Sequence, residues 1–301
     1  MSWPTSWSSA LALWRAPKDR VMGMNRRNVS GILPRNARRD YPIADDKLLC
    51  KRLLAEAGVP VAPTLRHFEH FGEIAKLKEQ LADLAEFVVK PARGSGGRGI
   101  LVIAKREVDR YQTAGGRWVD FDQLRKHVAD IVYGVYSLDK GDVAFVEPRL
   151  KPAPFFEGLF ARGLSDVRVI VVENQPVLAM LRVPTVDSDG RANLHQGALG
   201  LGVRLADGLV HRGWHRGRTT EGHPDHGARG VGAGVPDWDA IVAVARAAAA
   251  AVPLKYLGID IVVDRTLGPL VLEINARPGL EIQNVTGTPL RARLAELGLH
   301  S

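Results

Sequence analysis

The chain has 301 residues, a net charge of +8 and an ordinary globular composition, 46% hydrophobic and 25% charged. Its single cysteine, Cys50, excludes an intramolecular disulfide framework and fits a reducing compartment, so we expect a cytoplasmic protein. No apolar run approaches the roughly 18 residues of a membrane span, and the first 20 residues lack the features of a signal peptide. The length allows one domain with two lobes, or two domains.

Positive charge is concentrated at the N-terminus. Residues 1–44 hold eight lysines and arginines against two aspartates, a net charge of +6. We therefore predict a basic N-terminal arm over residues 1–44. Such an arm can bind RNA, an anionic membrane surface or an acidic partner, or it can be only a solvated extension.

A helix is predicted directly after this arm. Asp45 or Asp46 is the expected N-cap, and Gly58 with Pro60 ends the helix. Its apolar residues recur at helical spacing: Leu49, Leu53 and Ala57. Lys47 lies in the first turn, where the positive end of the helix dipole disfavours a cation. A bound anion would compensate for that placement.

A glycine-rich segment is predicted between two strands. A second amphipathic helix over 74–84 and a strand over 87–89 precede it, and a strand over 100–103 follows it. Four glycines in the six residues 94–99 free the backbone to approach a ligand. Walker and Rossmann motifs both need a helix after their glycines, so this is a different kind of loop. We interpret it as a flap with Lys90 in reach of phosphate; the alternative is a flexible hairpin tip.

Two further strands carry isolated charged residues. A helix over 121–131 leads to a strand over 143–146 that ends at Glu147, which can accept from an adenine or ribose group or simply face water. A strand over 166–172 places Asp166 and Arg168 on one face. Arg168 can neutralise a transferred phosphoryl group, or it can only pair with Asp166. A partner strand over 177–183 follows.

The next segments are a polar loop, a histidine-rich loop and a helix. The loop over 191–200, which contains Asn193, has the residues that a substrate pocket uses. Residues 208–230 are rich in glycine, arginine and histidine, but no ordered element spaces the four histidines as zinc ligands. An alanine-rich helix over 240–251 is predicted with Asp237 as its cap.

An apolar hairpin near the C-terminus carries the clearest polar constellation. Strands over 259–263 and 270–274 contain Asp260, Glu273 and, just beyond, Asn275. Glu273 and Asn275 share a face, and a register that puts Asp260 opposite either one gathers three oxygen ligands. Carboxylate and amide oxygens without Cys or His suit Mg²⁺. The alternative is a half-exposed strand whose polar residues face water.

Five motifs in this order resemble the ATP-grasp superfamily, and within it the alpha-L-glutamate ligase-like proteins related to the ribosomal-protein glutamate ligase. They are DDKLLCKRLLAEAGVP, FVVKPARGSGGRGI, DVRVIVV, ANLHQGALG, and GIDIVVD with LEINARPGLE. The resemblance runs from about residue 25 to 287 and implies an α+β fold in which two lobes hold ATP between them. It divides the chain into a basic arm over 1–44, an N-terminal lobe over 45–146 and a C-terminal lobe over 147–301.

The resemblance also implies roles for individual residues. Nucleotide binding would fall to Lys47, Lys90, the flap and Glu147 at the adenine hinge, the flap residues being Gly94, Ser95, Gly96 and Gly97. Two Mg²⁺ ions, replaceable by Mn²⁺, would be held by Asp260, Glu273 and Asn275. The catalytic residues would be Arg168, Asn193 and Arg277.

The activity that the resemblance implies is ATP-dependent carboxylate–amine ligation through an acylphosphate, adding glutamate or another amino acid to a peptide or protein. Only about 45 residues precede Lys47, so the usual preceding domain is expected to be missing or reduced to the arm. A homo-oligomer or protein partner would then complete the acceptor site. The alternatives are a phosphoryl or glycan-linked transferase, and a non-catalytic ATP-binding module anchored to RNA or membrane by the arm.

Overall fold

Residues 21–44 fold onto the rest of the described chain instead of extending from it. The computed structural model describes residues 21–94, 96–108, 110–138 and 140–299. Its first elements are α1 (Met24–Arg26), a π-helical continuation (Arg27–Ile32), a 3₁₀ turn (Arg38–Asp40), α2 (Tyr41–Asp45) and α3 (Lys47–Glu56). Helix α3 begins as predicted, because the Asp46 carboxylate accepts from the backbone N–H groups of Leu48 and Leu49.

Residues 21–44 of the predicted arm are anchored by buried contacts. Met22 and Ile32 are buried in an apolar cluster with Tyr256. Asn36 is 1% exposed; its amide nitrogen donates to the carbonyls of Tyr256 and Ala276, and its oxygen accepts from the N–H groups of Lys255 and Tyr256. A solvated extension is therefore wrong for residues 21–44, while residues 1–20 lie outside the described part.

The first antiparallel sheet holds the glycine-rich segment. Its strands are β1 (Arg66–Phe68), β2 (Phe87–Pro91), β3 (Leu101–Glu107), β4 (Arg110–Thr113), β5 (Trp118–Asp120) and β6 (Ala144–Pro148), in the spatial order β1-β6-β2-β3-β4-β5. The helices beside it are α4 (Phe71–Ile74), α5 (Leu77–Gln80) and α6 (Phe121–Tyr133). The single helix predicted over 74–84 is wrong, because the backbone leaves helical geometry at Lys76 (φ −93°, ψ 5°) between α4 and α5.

The second antiparallel sheet carries the apolar hairpin at one edge. After helix α7 (Pro154–Leu159), its strands are β7 (Asp166–Val172), β8 (Gln175–Val183), β9 (Leu199–Val203), β10 (Val210–His215), β11 (Arg218–Thr220), β12 (Tyr256–Asp264) and β13 (Gly268–Asn275). Their spatial order is β11-β10-β9-β8-β7-β12-β13. Nearly every residue of β7, β8 and β12 is buried, since helices cover both faces of the sheet.

Two apolar cores lie on opposite faces of this second sheet. One face packs on α8 (Trp238–Ala250) and α3, and the other on α9 (Ile282–Thr286), α10 (Leu290–Glu296) and the N-terminal segment. Helix α8 begins after Asp237 as predicted, but the Asp237 side chain makes no capping hydrogen bond and its backbone has φ 53°. No helix among the described residues is long and apolar enough to cross a membrane.

The predicted division at residues 146 and 147 remains a prediction. Strand β6 runs across that position and pairs with β2 throughout. Strand β13 also receives a parallel bridge from Val61, whose neighbour Pro60 accepts from the Val271 N–H group at 2.9 Å. The segment after α3 therefore connects the two sheets.

The anchoring by Asn36 gives a stability prediction. Asn36→Ala removes four hydrogen bonds with buried backbone groups, and we expect the free energy of unfolding to fall by about 3 kcal/mol. Urea unfolding followed by circular dichroism measures the change. Asn25→Ala, at an exposed position of α1, is the control and should stay within about 0.5 kcal/mol of wild type. Equal midpoints for the Asn36 variant and wild type would contradict the anchoring.

Candidate active site

A row of charged side chains crosses the second sheet. Asp260 on β12 lies opposite Arg168 on β7 on one side and opposite Glu273 on β13 on the other. Directly opposed residues point to the same face, so these three side chains lie side by side. The observed register is thus one of the two that the sequence analysis named as able to gather the three oxygen ligands.

Two arginines neutralise the buried carboxylate of Asp260. Arg168 binds it in a bidentate pair, with both N–O distances 2.6 Å, and Arg182 on β8 donates a third bond at 2.8 Å. Arg182 also binds Asp166 in a bidentate pair at 2.6 and 2.7 Å. The predicted alternative pairing of Arg168 with Asp166 is therefore wrong, because Arg182 stands opposite Asp166 and Asp260 stands opposite Arg168.

Sequence reasoning missed Arg182. The signal was a lone cation in the apolar strand that pairs with β7, at the position that an antiparallel register sets opposite Asp166. That register depends on the turn between β7 and β8, which contains Glu173 and Asn174, both with positive φ. A hairpin alignment of the two strands could have found it.

The two aspartates of the network differ in pKa because their surroundings differ. Burial alone would raise the pKa of Asp260, but Arg168 and Arg182 outweigh it and hold that pKa below its ordinary value. Burial raises the pKa of Asp166 to about 6, with Arg182 opposing the rise and repulsion from Asp260 adding to it. Burial would lower the pKa of Arg182, but its two carboxylate partners raise it, so the guanidinium stays charged.

Glu273 and Asn275 lie next to this network. Asn275 donates its amide N–H to Asp260 at 3.2 Å, which leaves its carbonyl oxygen for another partner. Glu273 is half-buried, and its side chain has no hydrogen bond or ion pair with any described residue. It lines a small cleft between α3 and β13 together with Lys47, Cys50 and Lys51. An unpaired acid beside a buried aspartate is a place for a cation.

The first sheet contributes a second charged cluster. Glu147 on β6 accepts hydrogen bonds from both Lys90 on β2 and Lys51 on α3. Burial would raise the pKa of Glu147, but the two ammonium groups outweigh it and lower that pKa. Burial lowers the pKa of Lys51, against the pull of Glu147. The Lys90 side chain is only 12% exposed, because it lies beside Glu147.

Sequence reasoning also failed to identify Lys51 as a site residue. It follows Lys47 by four residues on α3 and therefore lies on the same face of the helix. This spacing is the sequence signal that could have found it. Its ammonium group also lies 5.4 Å from the centre of the Phe145 ring. The three lysines and Glu147 form the positively charged part of the site.

The glycine-rich flap meets this cluster at its base. The Lys47 ammonium donates to the backbone carbonyl of Gly94. Gly96 and Gly97 have φ of 65° and 74°, which favours glycine over other residues. A Cβ on Gly97 would lie 3.6 Å from Cδ of Arg191, so the flap touches the predicted substrate loop. Ser95, predicted as a nucleotide contact, lies outside the described residues.

The structure does not bring Asn193 and Arg277 into the Asp260 network. Asn193 caps a 3₁₀ turn, with its oxygen accepting from the His195 N–H group at 3.1 Å. Arg277 stacks on Tyr41, with Cζ 5.1 Å from the ring centre. Among the described residues neither side chain hydrogen-bonds to an acid of the network. Their catalytic roles remain predictions.

The histidine-rich loop is held by backbone contacts. A ring nitrogen of each of four histidines bonds a carbonyl oxygen at 2.8–3.1 Å; the histidines are His211, His215, His223 and His226. The rings of His223 and His226 stack at 4.1 Å. The described residues contain no group of three or more His, Cys, Asp or Glu that could hold a metal.

Comparisons with known proteins agree with this fold. Residues 26–298 match the sequence model of the family described as sugar-transfer associated ATP-grasp. The chain is 25% identical over 252 residues to a probable alpha-L-glutamate ligase of Trichodesmium erythraeum (strain IMS101), covering 83% of this chain and 62% of that protein. A probable alpha-L-glutamate ligase of Enterobacter sp. (strain 638) is 27% identical over 272 residues, covering 88% and 66%.

The VanG D-Ala:D-Ser ligase of Enterococcus faecalis shares the fold, with a TM-score of 0.51, 14% identity and coverage of 87% of this chain and 63% of that one. Two antiparallel sheets with a charged site and a glycine-rich flap thus define an α+β protein of the ATP-grasp class. The chain belongs to the sugar-transfer associated ATP-grasp family. The predicted fold and the predicted resemblance are confirmed. The chain spans less than two thirds of the length of the first relative.

The cluster around Glu147 gives a pH-dependent stability prediction. Glu147→Gln leaves Lys51 and Lys90 without a carboxylate, so we expect a loss of about 3 kcal/mol at pH 7. The stabilising effect of an acid whose folded pKa is lowered is complete above its ordinary pKa of 4.5 and is lost as the pH falls through the folded pKa. The difference from wild type should therefore shrink below pH 4.5.

The control for this variant is Glu86→Gln. Glu86 also contacts two cations, Arg149 and Lys151, but with one third of its side chain exposed. We expect it to change stability by less than about 1 kcal/mol. Chemical unfolding between pH 3 and 7 measures both variants. A pH-independent difference for Glu147→Gln would show that the carboxylate charge does not stabilise this cluster.

Proposed function

We propose that this protein is an ATP-dependent carboxylate–amine ligase that works through an acylphosphate. The observation that carries the proposal is the opposite charge of the two clusters. On the second sheet, three carboxylates face two guanidiniums, and Glu273 is the acid without a partner among the described residues. On the first sheet and α3, Lys51 and Lys90 pair with the single carboxylate of Glu147, and the Lys47 ammonium donates to the Gly94 carbonyl, so this cluster has an excess of positive charge. A magnesium–nucleotide complex has the complementary charges.

The positive cluster would hold the nucleotide. Lys47 and Lys90 would contact phosphate oxygens, and Lys51 would keep Glu147 ionised at the adenine end. The flap residues Gly94, Gly96, Gly97 and Ser95 would cover the triphosphate. Water exclusion by such a flap protects an acylphosphate from hydrolysis.

The donor set of the negative cluster fits Mg²⁺. The Glu273 side chain is unpaired among the described residues. Asn275 donates its amide N–H to Asp260, so its carbonyl oxygen is left to bind an ion. Asp260 Oδ1 accepts one hydrogen bond, so a second lone pair on that oxygen remains. These three residues would hold the ion. When bound, Mg²⁺ supplies charge neutralisation at the β- and γ-phosphates. The proposal includes two Mg²⁺ ions at this cluster, and Mn²⁺ would replace them.

Arg168 would act on the transferred phosphoryl group. Its Nε and one terminal nitrogen bind Asp260, which fixes the guanidinium and leaves the other terminal nitrogen directed away from that pair. A carboxylate oxygen of the acceptor attacks the γ-phosphorus, and the bond to the ADP oxygen breaks. An amine then attacks the carbonyl carbon, inorganic phosphate leaves, and the amine loses a proton. Asn193 and Arg277 would contact the acceptor from their loops.

The acceptor would be a peptide or protein, and glutamate or another amino acid the amine. The relatives named as probable alpha-L-glutamate ligases support this choice. The family description, sugar-transfer associated, favours a second candidate in which the carboxylate or the amine belongs to a carbohydrate-linked molecule. The same proposal includes two lobes, over 45–146 and 147–301. It also includes a homo-oligomer or protein partner that completes the acceptor site, and a cytoplasmic location.

An ADP-release screen tests the proposed reaction. The full chain is incubated with Mg-ATP and with pairs of carboxylates and amines drawn from amino acids, dipeptides, basic proteins and amino sugars. We expect ADP release that requires both substrates, and a product whose mass is the sum of the two minus water. ATP binding without ADP release for any pair would instead support the non-catalytic module.

Glu273→Gln separates a metal ligand from a structural acid. Because Glu273 has no partner among the described residues and lies beside Asp260, the apo variant should melt at or slightly above the wild-type temperature. The stabilisation by Mg-ATP should fall, because the ion would be held less firmly; we expect about tenfold weaker nucleotide binding. Thermal melts with and without Mg-ATP measure both effects.

Glu221→Gln is the matched control, since Glu221 is exposed beyond β11 and pairs only with Arg229 at 3.4 Å among the described residues. It should leave both melts unchanged. An apo melting temperature well below wild type for Glu273→Gln, with undiminished stabilisation by Mg-ATP, would remove Glu273 from the metal site.

A further inference from the structure

The outer side of the N-terminal segment exposes apolar and basic side chains together. We call these residues the arm patch: Val21, Met24, Val29 and Leu33, which are 47%, 66%, 63% and 53% exposed, with Arg26, Arg38 and Arg39. Four large apolar side chains within 13 residues of a surface segment are unusual for a face that contacts only water.

The segment holds these side chains outward. Its inner side is fixed by Met22 and Ile32 in the apolar cluster, and a Cβ on Gly31 would lie 3.1 Å from the Tyr256 ring. The Met22 N–H group donates to Gln283 at 2.8 Å. Asn36 donates to the carbonyls of Tyr256, at the start of β12, and Ala276, just after the end of β13. Because the inner side is occupied, the exposed apolar side chains cannot turn inward to be buried.

The charge of the arm patch is positive. Its three arginines are exposed, and Arg39 has only a 3.8 Å contact with Asp40, the one acid within residues 21–44. The sequence that leads into the patch adds Arg15, Lys18 and Arg20 against Asp19, with three tryptophans among its first 14 residues. Trp, Leu and basic residues in this mixture are typical of segments at a membrane interface.

We propose that the arm patch docks this protein on the surface of an anionic phospholipid bilayer. Exposed Met, Val and Leu side chains gain free energy by entering the boundary between headgroups and acyl chains, and arginines are attracted to anionic headgroups. A nucleic acid would bind the arginines through its phosphates, but it offers no apolar layer in which the Met, Val and Leu side chains could be buried. This docking is independent of the reaction proposed for the site.

Vesicle co-sedimentation with the full chain tests this proposal. The probes are vesicles of phosphatidylcholine alone and vesicles with 40% phosphatidylglycerol, at about 0.1 M and 0.5 M salt. We expect binding to the anionic vesicles that weakens at high salt. Met24→Ser/Val29→Ser/Leu33→Ser should weaken it at least about tenfold. Arg38→Gln/Arg39→Gln should weaken it about thirtyfold, the effect of two charges at the surface.

Matched control variants change equally exposed residues elsewhere. Val135→Ser/Leu138→Ser/Leu267→Ser removes side chains that are 51%, 84% and 54% exposed, and Arg125→Gln/Arg229→Gln removes two exposed arginines. Both should bind vesicles like wild type, and melting temperatures confirm that all variants fold. Vesicle binding that survives the arm-patch substitutions, or a chain that binds single-stranded RNA but no vesicle, would overturn the proposal.

Discussion

The site depends on burying the carboxylate of Asp260 inside a sheet. A buried charge is stable only when it is paired and hydrogen-bonded, and Asp260 has Arg168 on the neighbouring strand and Arg182 one strand further. In the order β8, β7, β12 and β13 the two arginines lie beside the two buried aspartates, so both aspartates are paired. Glu273 lies at the end of the same row, beyond the reach of both arginines' hydrogen bonds. The packing that stabilises Asp260 thus leaves one negative charge at the edge of the sheet.

The two charged clusters differ in what surrounds them. The Asp260 network is built from strands that pair along most of their length, so its side chains are held by the sheet itself. The Glu147 cluster takes Lys51 from a helix and Lys90 from the strand that leads into the flap. Lys47 on the same helix reaches the flap carbonyl of Gly94. The cluster held within one sheet would suit the proposed metal ion, which needs fixed ligands. The cluster shared by a helix and the strand that leads into the flap would suit the proposed nucleotide, which must enter and leave.

Local patterns in the sequence predicted the parts of the fold that local chemistry determines. Asp46, one of the two predicted caps, caps α3, and the two predicted strands of the hairpin form β12 and β13, with Asp260 opposite Glu273. Pairings between distant segments escaped prediction, because neither Lys51 with Glu147 nor Arg182 with Asp260 follows from spacing along the chain. The same reason explains the error for residues 21–44: composition showed six net positive charges over 1–44, whereas Asn36 finds its partners 219 residues or more away.

One segment connects the surface of the protein with its site. Asn36 bonds the carbonyl of Ala276, and Arg27 donates to the carbonyl of Pro278 at 2.8 Å, so the N-terminal segment holds the loop that directly follows Asn275. Tyr41 of the same segment supports Arg277 in that loop. The exposed side chains of the same segment form the arm patch. A membrane docked at the arm patch as proposed would therefore contact the same segment that holds this loop.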